Sequence, residues 1–312
     1  MASNTCLVMR IVSASVSVAK KAGTIVRDIR SKGSLGVVEK TGKNDLQTEA
    51  DRKAQRCIVA SLTRRFSGLI VIGEEELPKE EQIDENLIEN GFSEEVDKSV
   101  CPEALKDVKM EDVVIWVDPL DGTKEFTEGT KYLDHVTVLI GVAVNGKPVG
   151  GVIHQPFYKF DTETQLYVGR TMWGVVGLGA FGFEHKDQTQ GKRILTTTRS
   201  HGTEAVQETL AAMEPDEVLR VGGAGHKVLL VLEGRVSAYI FASMGCKKWD
   251  TCAPEALLQA VGGKLTDVHG NVYRYDKDIK HMNTGGVVAA YRKHDFYIER
   301  VPQSIKDVLP SQ

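Results

Sequence analysis

No CxxC pair and no HExxH motif occurs in the 312 residues. The simplest thiolate-rich and histidine-ligated zinc sites are therefore not indicated. The five cysteines (Cys6, Cys57, Cys101, Cys246 and Cys252) are odd in number and scattered. That pattern reads as reduced thiols in an intracellular, cytoplasmic protein, and not as a disulfide framework. No apolar run approaches the roughly 20 residues of a membrane helix, so no membrane is expected as a partner. Positive charge is not in surplus either: 39 Lys and Arg face 43 Asp and Glu, a net charge of −4. A nucleic-acid polymer needs clustered cations for its phosphates, and is excluded as a partner on that ground. Short internal repeats and low-complexity tracts are also missing.

What is present belongs to a globular chain. Hydrophobic residues make up 41% and charged residues 26%, the balance of a packed soluble fold. The length suffices for one large domain or two ordinary ones. No acid precedes Asp28, while serines are frequent and Arg10, Lys20, Lys21 and Arg27 are basic. A transit peptide has this composition. The same stretch, however, puts Leu7, Ile11, Ala14, Val18 and Ala22 on one helical face, and we read it as the first structural helix, ending near Lys32-Gly33.

A second helix is expected from Glu49 to Phe66, with Thr48 as N-cap and Asp51 three residues on, in a capping-box arrangement. The stretch GLIVIGEEE (68–76) is a short apolar strand running into acids. Residues 77–112 are acid-rich and aperiodic, and read as a surface insertion of helix and loop. A strand at 113–118 precedes a hairpin over 135–156 with Asn145-Gly146 at its turn, and more strand follows at 171–183. The polar, turn-rich segment 184–193 marks a boundary near residue 190, dividing an α+β half (1–190) from an α/β half (191–312). In the second half, strands at 193–198, 218–223 and 236–242 alternate with helices at 201–213, 225–234 and 251–263. Two more strands, KLTDVHGNVY and GGVVAAY, follow.

Four acids stand where apolar strands end or helices begin: Glu74, Asp118, Asp121 and Asp250. Strand ends are where α/β scaffolds place their chemistry. Each acid also has a plainer explanation. Asp250 caps a helix starting at Thr251, Asp121-Gly122 is a turn, Glu74 to Glu76 begin the acidic segment, and Asp51 completes a capping box. The combination is harder to dismiss, because four such carboxylates in one low-dielectric cleft repel unless metal ions lie between them. Hard oxygen donors without histidine favour magnesium. Glu75 follows Glu74 directly and, on a strand, points the other way.

The stretch WVDPLDGTKEF, with NDLQTEAD and GEEE upstream and WDTCAPE downstream, resembles the lithium-sensitive, magnesium-dependent phosphomonoesterases along nearly the whole chain. This superfamily includes the inositol monophosphatases, fructose-1,6-bisphosphatases and bisphosphate nucleotidases. The D-P-hydrophobic-D-G-[TS] element paired with a distant W-D carries the resemblance. TTTRSH, RVGGAGHK and SAYIFAS favour the bisphosphate nucleotidases among them. The resemblance implies a layered α/β/α/β/α sandwich with the site between the halves. It implies two or three Mg2+ ions held by Glu74, Asp118, the Leu120 carbonyl, Asp121 and Asp250, with Asp51 and Thr123 polarising the attacking water. Gly122, Thr123, Thr198, His201, Gly223, Lys227 and Asp250 are implied as substrate contacts.

The implied reaction is lithium-inhibited hydrolysis of the 3′-phosphate of 3′-phosphoadenosine 5′-phosphate (PAP) to AMP. 3′-Phosphoadenosine 5′-phosphosulfate (PAPS) and the 1-phosphate of inositol polyphosphates such as inositol 1,4-bisphosphate are further substrates, and the enzyme is expected as a monomer. The residues agree with these roles. Pro119 stiffens the link between the two aspartates, Gly122 permits close backbone approach, and a helix beginning at Thr123 would turn free N–H groups toward phosphate. Two readings compete: an inositol polyphosphate 1-phosphatase, and a non-catalytic nucleotide sensor on the same fold. GGAGHK, which includes His226 beside Lys227, lacks the spacing of a P-loop and of GxGxxG, and by itself reads as a structural turn opening a helix.

Overall fold

A computed structural model of the chain describes residues 6–40, 46–76, 83–200 and 202–311. Helix α1 spans Leu7–Lys32 and closes on Gly33 in the left-handed conformation, as the sequence pattern predicts. Two short strands, β1 (Val38–Glu39) and β2 (Leu46–Gln47), pair before α2 (Glu49–Arg65). Strands β3 (Ile70–Gly73), β4 (Val113–Asp121), β5 (Thr137–Val144), β6 (Lys147–Asp161), β7 (Leu166–Val175) and β8 (Gly179–Phe181) form one sheet in sequence order. Within this stretch lie two short helices, α3 (Glu94–Asp97) and α4 (Thr123–Thr127). Asn145 and Gly146 both have positive φ, the conformation of the tight turn expected between β5 and β6.

The second sheet contains β9 (Ile194–Thr198), β10 (Glu217–Val221), β11 (Ala238–Phe241), β12 (Lys264–Thr266) and β13 (Val287–Ala290), in the order β10-β9-β11-β13-β12. Its crossovers are α5 (Glu204–Ala212) and α6 (Ala224–Leu232), and α7 (Lys248–Ala260) follows β11. Helices α8 (His294–Arg300) and α9 (Gln303–Val308) end the chain. The two helices α1 and α2 cover one face of the first sheet, α7 lies on the other face beside α6, and α5 and α8 pack on β11 and β13. The layers follow the α/β/α/β/α order expected.

Close approach of α7 to the first sheet depends on missing side chains. A Cβ at Gly141 would stand 2.5 Å from Cys252 Sγ, and one at Gly151 would stand 2.6 Å from the Ala253 carbonyl. No helix among the described residues is long and apolar enough to cross a membrane.

Several expectations need correction. Cys6 and Cys101 form a disulfide with 6.1 Å between their α-carbons, so these two are not thiols; Cys57, Cys246 and Cys252 are buried and free. The pairing joins positions 95 apart, which no local spacing signals. The stretch 83–112 is not wholly superficial: Val96 and Leu105 are buried, and the Ser13 hydroxyl donates to the Ser93 carbonyl at 3.2 Å. Residues 77–82 of the same segment lie outside the described residues. Of KLTDVHGNVY only residues 264–266 are strand, and the two terminal helices have too few periodic positions to be read from the sequence.

Candidate active site

Strand β4 runs buried from Val113 to Asp121. Its pairing with β5 slips between Asp118, opposite Leu139, and Asp121, opposite Thr137. Three steps on β4 thus match two on β5, a bulge that falls on Pro119-Leu120. Proline gives no N–H to a ladder, and a bulge re-aims the side chains around it. Here the consequence is that Asp118 and Asp121 leave the strict alternation of a strand. Asp118 Oδ1 accepts from the Leu120 amide at 3.0 Å. Gly122, with φ 91°, then lets the chain turn into α4.

Asp121 accepts three hydrogen bonds. Its Oδ2 accepts from the Thr137 hydroxyl at 2.7 Å and from the Gly225 amide at 2.8 Å, and its Oδ1 accepts from the Ala224 amide at 2.8 Å. It therefore ties the end of β4 to the first turn of α6, in the other sheet's crossover. The turn leading there is Gly222-Gly223. At Gly223, φ is 68° and a Cβ would stand 2.6 Å from the His135 carbonyl, so the backbone passes where no side chain fits. Four residues on, the buried Lys227 ammonium donates to the Gly223 carbonyl at 2.8 Å and lies over the Tyr239 ring.

Asp51 is the third position of α2 and completes its capping box, as expected. Its Oδ2 accepts from the Thr48 amide at 2.7 Å and the Thr48 hydroxyl at 2.5 Å. Its other oxygen, Oδ1, lies 3.1 Å from the Thr123 hydroxyl, which also lies 3.1 Å from the Leu120 carbonyl. The capping role and the role beside Thr123 thus coexist on the two oxygens of one carboxylate. Asp250 likewise serves two ends. Helix α7 starts at Lys248 and not at Thr251, so Asp250 is inside its first turn and accepts from the Lys247 amide at 2.7 Å. Pro254 lacks the N–H that would otherwise bond the Asp250 carbonyl.

The carboxyls oppose one another electrically. Burial, then the charges of Glu74, Asp121 and Asp250, push Asp118 well above the ordinary carboxylate range, and Asp118 shares a hydrogen bond with Asp250. Burial, followed by Glu74 and Asp121, raises Asp250 to about 7. Asp51 is raised to about 7 by its complete burial, against the lowering effect of its Thr48 hydrogen bonds. Asp121 is raised by burial, with Lys227 acting in the opposite direction. Lys227 is lowered by burial, which outweighs Asp121.

Two of the four acids have cationic neighbours, Lys227 beside Asp121 and Lys40 beside Glu74. Lys40 Nζ lies 3.0 Å from both Glu74 Oε1 and Glu75 Oε1. Glu75 therefore does not point away from Glu74: β3 ends at Gly73, and beyond it both acids reach the same ammonium. The Glu75 backbone is fixed by the Gln55 amide, which pairs with its N–H and its carbonyl.

A cleft of about 340 Å3 unites these parts. Its wall is formed by Glu74, Asp121, Gly122, Thr123 and Asp250 together with Thr198, Gly223 and Lys227. Asp51, Asp118 and Leu120 stand behind this wall, while His201 lies outside the described residues. Sequence reasoning did not single out Lys40, Glu75, Lys247, or the apolar sector of Tyr239, Phe241 and Met244 in the same cleft. It also passed over Arg199, whose guanidinium donates to Glu125 at 2.9 Å and to Glu128, tying the end of β9 to α4. Only the position of Arg199 beside Thr198 could have drawn attention to it.

Among the described residues, no three Asp, Glu, His or Cys side chains stand ready in a chelating arrangement. The donor set nevertheless suits a hard divalent cation. It is made of carboxylate and carbonyl oxygens, and the charges that raise Asp118 and Asp250 are those that such a cation would relieve.

Residues 8–306 match the inositol monophosphatase family, and the chain belongs to it. With that family it belongs to the phosphoric monoester hydrolases. Over 309 residues it is 57% identical to human 3′(2′),5′-bisphosphate nucleotidase 1, covering 99% of both chains. The Dictyostelium discoideum protein of the same name is 40% identical, with 95% of this chain and 97% of that one covered. Among solved structures, the Thermotoga maritima IMPase superposes with a TM-score of 0.65 at 21% identity, over 94% of this chain and 97% of that one, and shows the shared fold.

Proposed function

We propose that the chain is a magnesium-dependent bisphosphate nucleotidase that removes the 3′-phosphate of PAP, giving AMP and phosphate. The observation that carries this reading is the contact of Thr123 with Asp51 beside an acidic cleft that a buried lysine also lines. Names of the close relatives support the same substrate class.

In this mechanism Glu74, Asp118, the Leu120 carbonyl, Asp121 and Asp250 would hold the metal. Bound magnesium would supply charge neutralisation for the phosphoryl group and a polarised nucleophile. Thr123 orients the attacking water and accepts its proton while its own hydroxyl proton passes to Asp51. The water oxygen forms the new P–O bond as the bond from phosphorus to the ribose 3′-oxygen breaks, and that oxygen leaves with a proton drawn from solvent. Lys227 pairs the 5′-phosphate as a point charge, and Thr198, His201 and Gly223 contact the nucleotide.

The apolar sector of Tyr239, Phe241 and Met244 favours a nucleobase over an inositol ring, which has no aromatic face to bury. PAPS and inositol 1,4-bisphosphate are secondary substrates in this reading, and lithium inhibits by taking a magnesium position. We also take residues 1–190 and 191–312 as two domains of a cytoplasmic monomer.

Purified protein assayed with PAP, PAPS, inositol 1,4-bisphosphate and an inositol monophosphate, with magnesium and with or without lithium, tests the proposal. PAP is expected to have the highest kcat/KM, with AMP as the product. Turnover of inositol monophosphate without turnover of PAP would overturn it.

A further inference from the structure

A second cavity, of about 390 Å3, lies between α1 and strands β6 and β7. It is on the face of the first sheet opposite α7, and shares no residue with the catalytic cleft. Helix α1 lines it with Val16, Lys20, Thr24 and Arg27, at spacings of four, four and three that form one helical face. The sheet contributes His154, Thr171 and Trp173, and Glu95 contributes the one carboxylate.

The cavity is positively charged. Among the described residues neither Lys20 nor Arg27 has an ion-pair partner. The Arg27 guanidinium is held in place by neutral acceptors, the Pro156 carbonyl at 3.2 Å and the Thr24 hydroxyl at 3.1 Å. A Cβ at Gly169 would stand 2.9 Å from both Arg27 Nη1 and His154 Cε1, so the bare α-carbon makes room for the guanidinium and the imidazole.

The walls also contain orphaned polar groups. His154 and Trp173 are 3% and 1% exposed, yet His154 Nε2 and Trp173 Nε1 have no hydrogen-bond partner among the described residues. The other imidazole nitrogen, Nδ1, pairs with the Thr171 hydroxyl at 2.8 Å. Buried polar groups of this kind are rare in folded proteins; His154 Nε2 packs against Gly23 of α1, where a Cβ would stand 2.2 Å from it, while Trp173 Nε1 beside the cavity calls for a water or a ligand. Burial, reinforced by Arg27 and Lys20, holds His154 down to about 3, so its ring is neutral and the positive charge of the site comes from the two α1 side chains. The same two cations exclude a metal ion.

We propose that this cavity binds a small oxyanion, either inorganic phosphate or sulfate or the charged end of a small phosphorylated molecule. Lys20 and Arg27 supply its counter-charge, and the Trp173 ring nitrogen faces it directly or through water. Nothing in this proposal depends on the catalytic reading of the other cleft.

The chain has three tryptophans, and their indole N–H resonances separate the two sites. Trp173 lines the second cavity, while Trp249 adjoins Asp250 of the catalytic cleft. Inorganic phosphate, sulfate and AMP are titrated separately into EDTA-treated protein, with Trp173→Phe assigning the resonance. The Trp173 signal is expected to move and saturate on a concentration scale different from any movement of Trp249. Equal responses to phosphate and sulfate identify a free ion as the ligand, and saturation at lower AMP concentration identifies a phosphorylated molecule. Lys20→Ala and Arg27→Gln are each expected to weaken the response by about tenfold, one charge-assisted contact, with kcat and KM unchanged. Lys20→Arg is expected to restore it. A Trp173 resonance that never moves overturns the proposal. So does one that moves equally in a folded Lys20→Ala/Arg27→Gln double variant, whose thermal melt serves as the control.

Discussion

The Thr123 hydroxyl lies 3.1 Å from Asp51 Oδ1, although 72 positions separate the two residues. One belongs to the first turn after β4 and the other to the first turn of α2. The contact exists because two helix starts meet, each with its own local reason for being where it is.

From that contact follows the first prediction. Thr123→Ala is expected to lower kcat by roughly 10²- to 10⁴-fold, the range of a lost proton-transfer partner, with little change in KM. Thr123→Ser keeps the hydroxyl and should retain most of the rate. Asp51→Asn should match Thr123→Ala in rate and also lose about 1 kcal/mol of stability, because the same carboxylate caps α2. Steady-state kinetics beside a denaturant melt separate the two effects, and an Asp51→Asn variant with full kcat would remove Asp51 from the proton path.

Lys227 calls for a different signature. Its ammonium is fixed by the Gly223 carbonyl and lines the same cleft as Thr123. Lys227→Met should raise KM for PAP by about tenfold or more, the value of one charge-assisted contact, while kcat falls less. A substrate without a 5′-phosphate should be indifferent to the change.

The disulfide between Cys6 and Cys101 closes a loop spanning 95 positions. Chain-entropy arguments assign such a loop about 4–5 kcal/mol, a model-dependent figure. Reduction should therefore lower Tm by several degrees, and Cys101→Ser should melt at the lower temperature with or without reductant. An identical melt for oxidised and reduced wild type would show that the bridge contributes nothing.

Glu255 is wholly buried in α7, where it accepts from the Tyr275 hydroxyl at 2.5 Å and the Gln259 amide at 2.7 Å. Burial raises it from about 4.5 to about 8. The folded state then holds a proton that the unfolded state has released between those values, so this group's contribution is full below pH 4.5 and is lost as pH rises to 8. Lys248, lowered by burial from 10.5 to about 8, works in the opposite sense and favours folding increasingly between those values. Glu255→Gln should accordingly gain stability relative to wild type as pH rises from about 5 to 8, measured by melts across that range. A pH-independent difference would show that Glu255 does not titrate there.

Much of this architecture was legible in the sequence because it is local. Apolar periodicity marks α1, Thr48 and Asp51 mark the start of α2, and Asn145-Gly146 marks the hairpin. The acids were legible for a related reason: each lies at the end of an apolar run or at the start of a helix. Contacts that depend on chain crossing were not. Lys40 meets Glu74 and Glu75 only because β1 returns to the end of β3, and Cys6 meets Cys101 only because α1 packs beside α3. The start of α7 was misplaced by three residues, since a lysine is a poor N-cap signal and the strong one, Asp250, sits inside the first turn. Glu75 was set aside on strand alternation that ends two residues before it.

The three hydrogen bonds of Asp121 carry one more consequence. A carboxylate that lines the cleft also anchors the amides of Ala224 and Gly225, and so the helix bearing Lys227. A single side chain thus fixes where the lysine-bearing helix begins relative to the end of β4. It is a rivet between the two sheets: an asparagine in its place would set an NH2 against one of those amides, and the join would loosen along with the loss of charge.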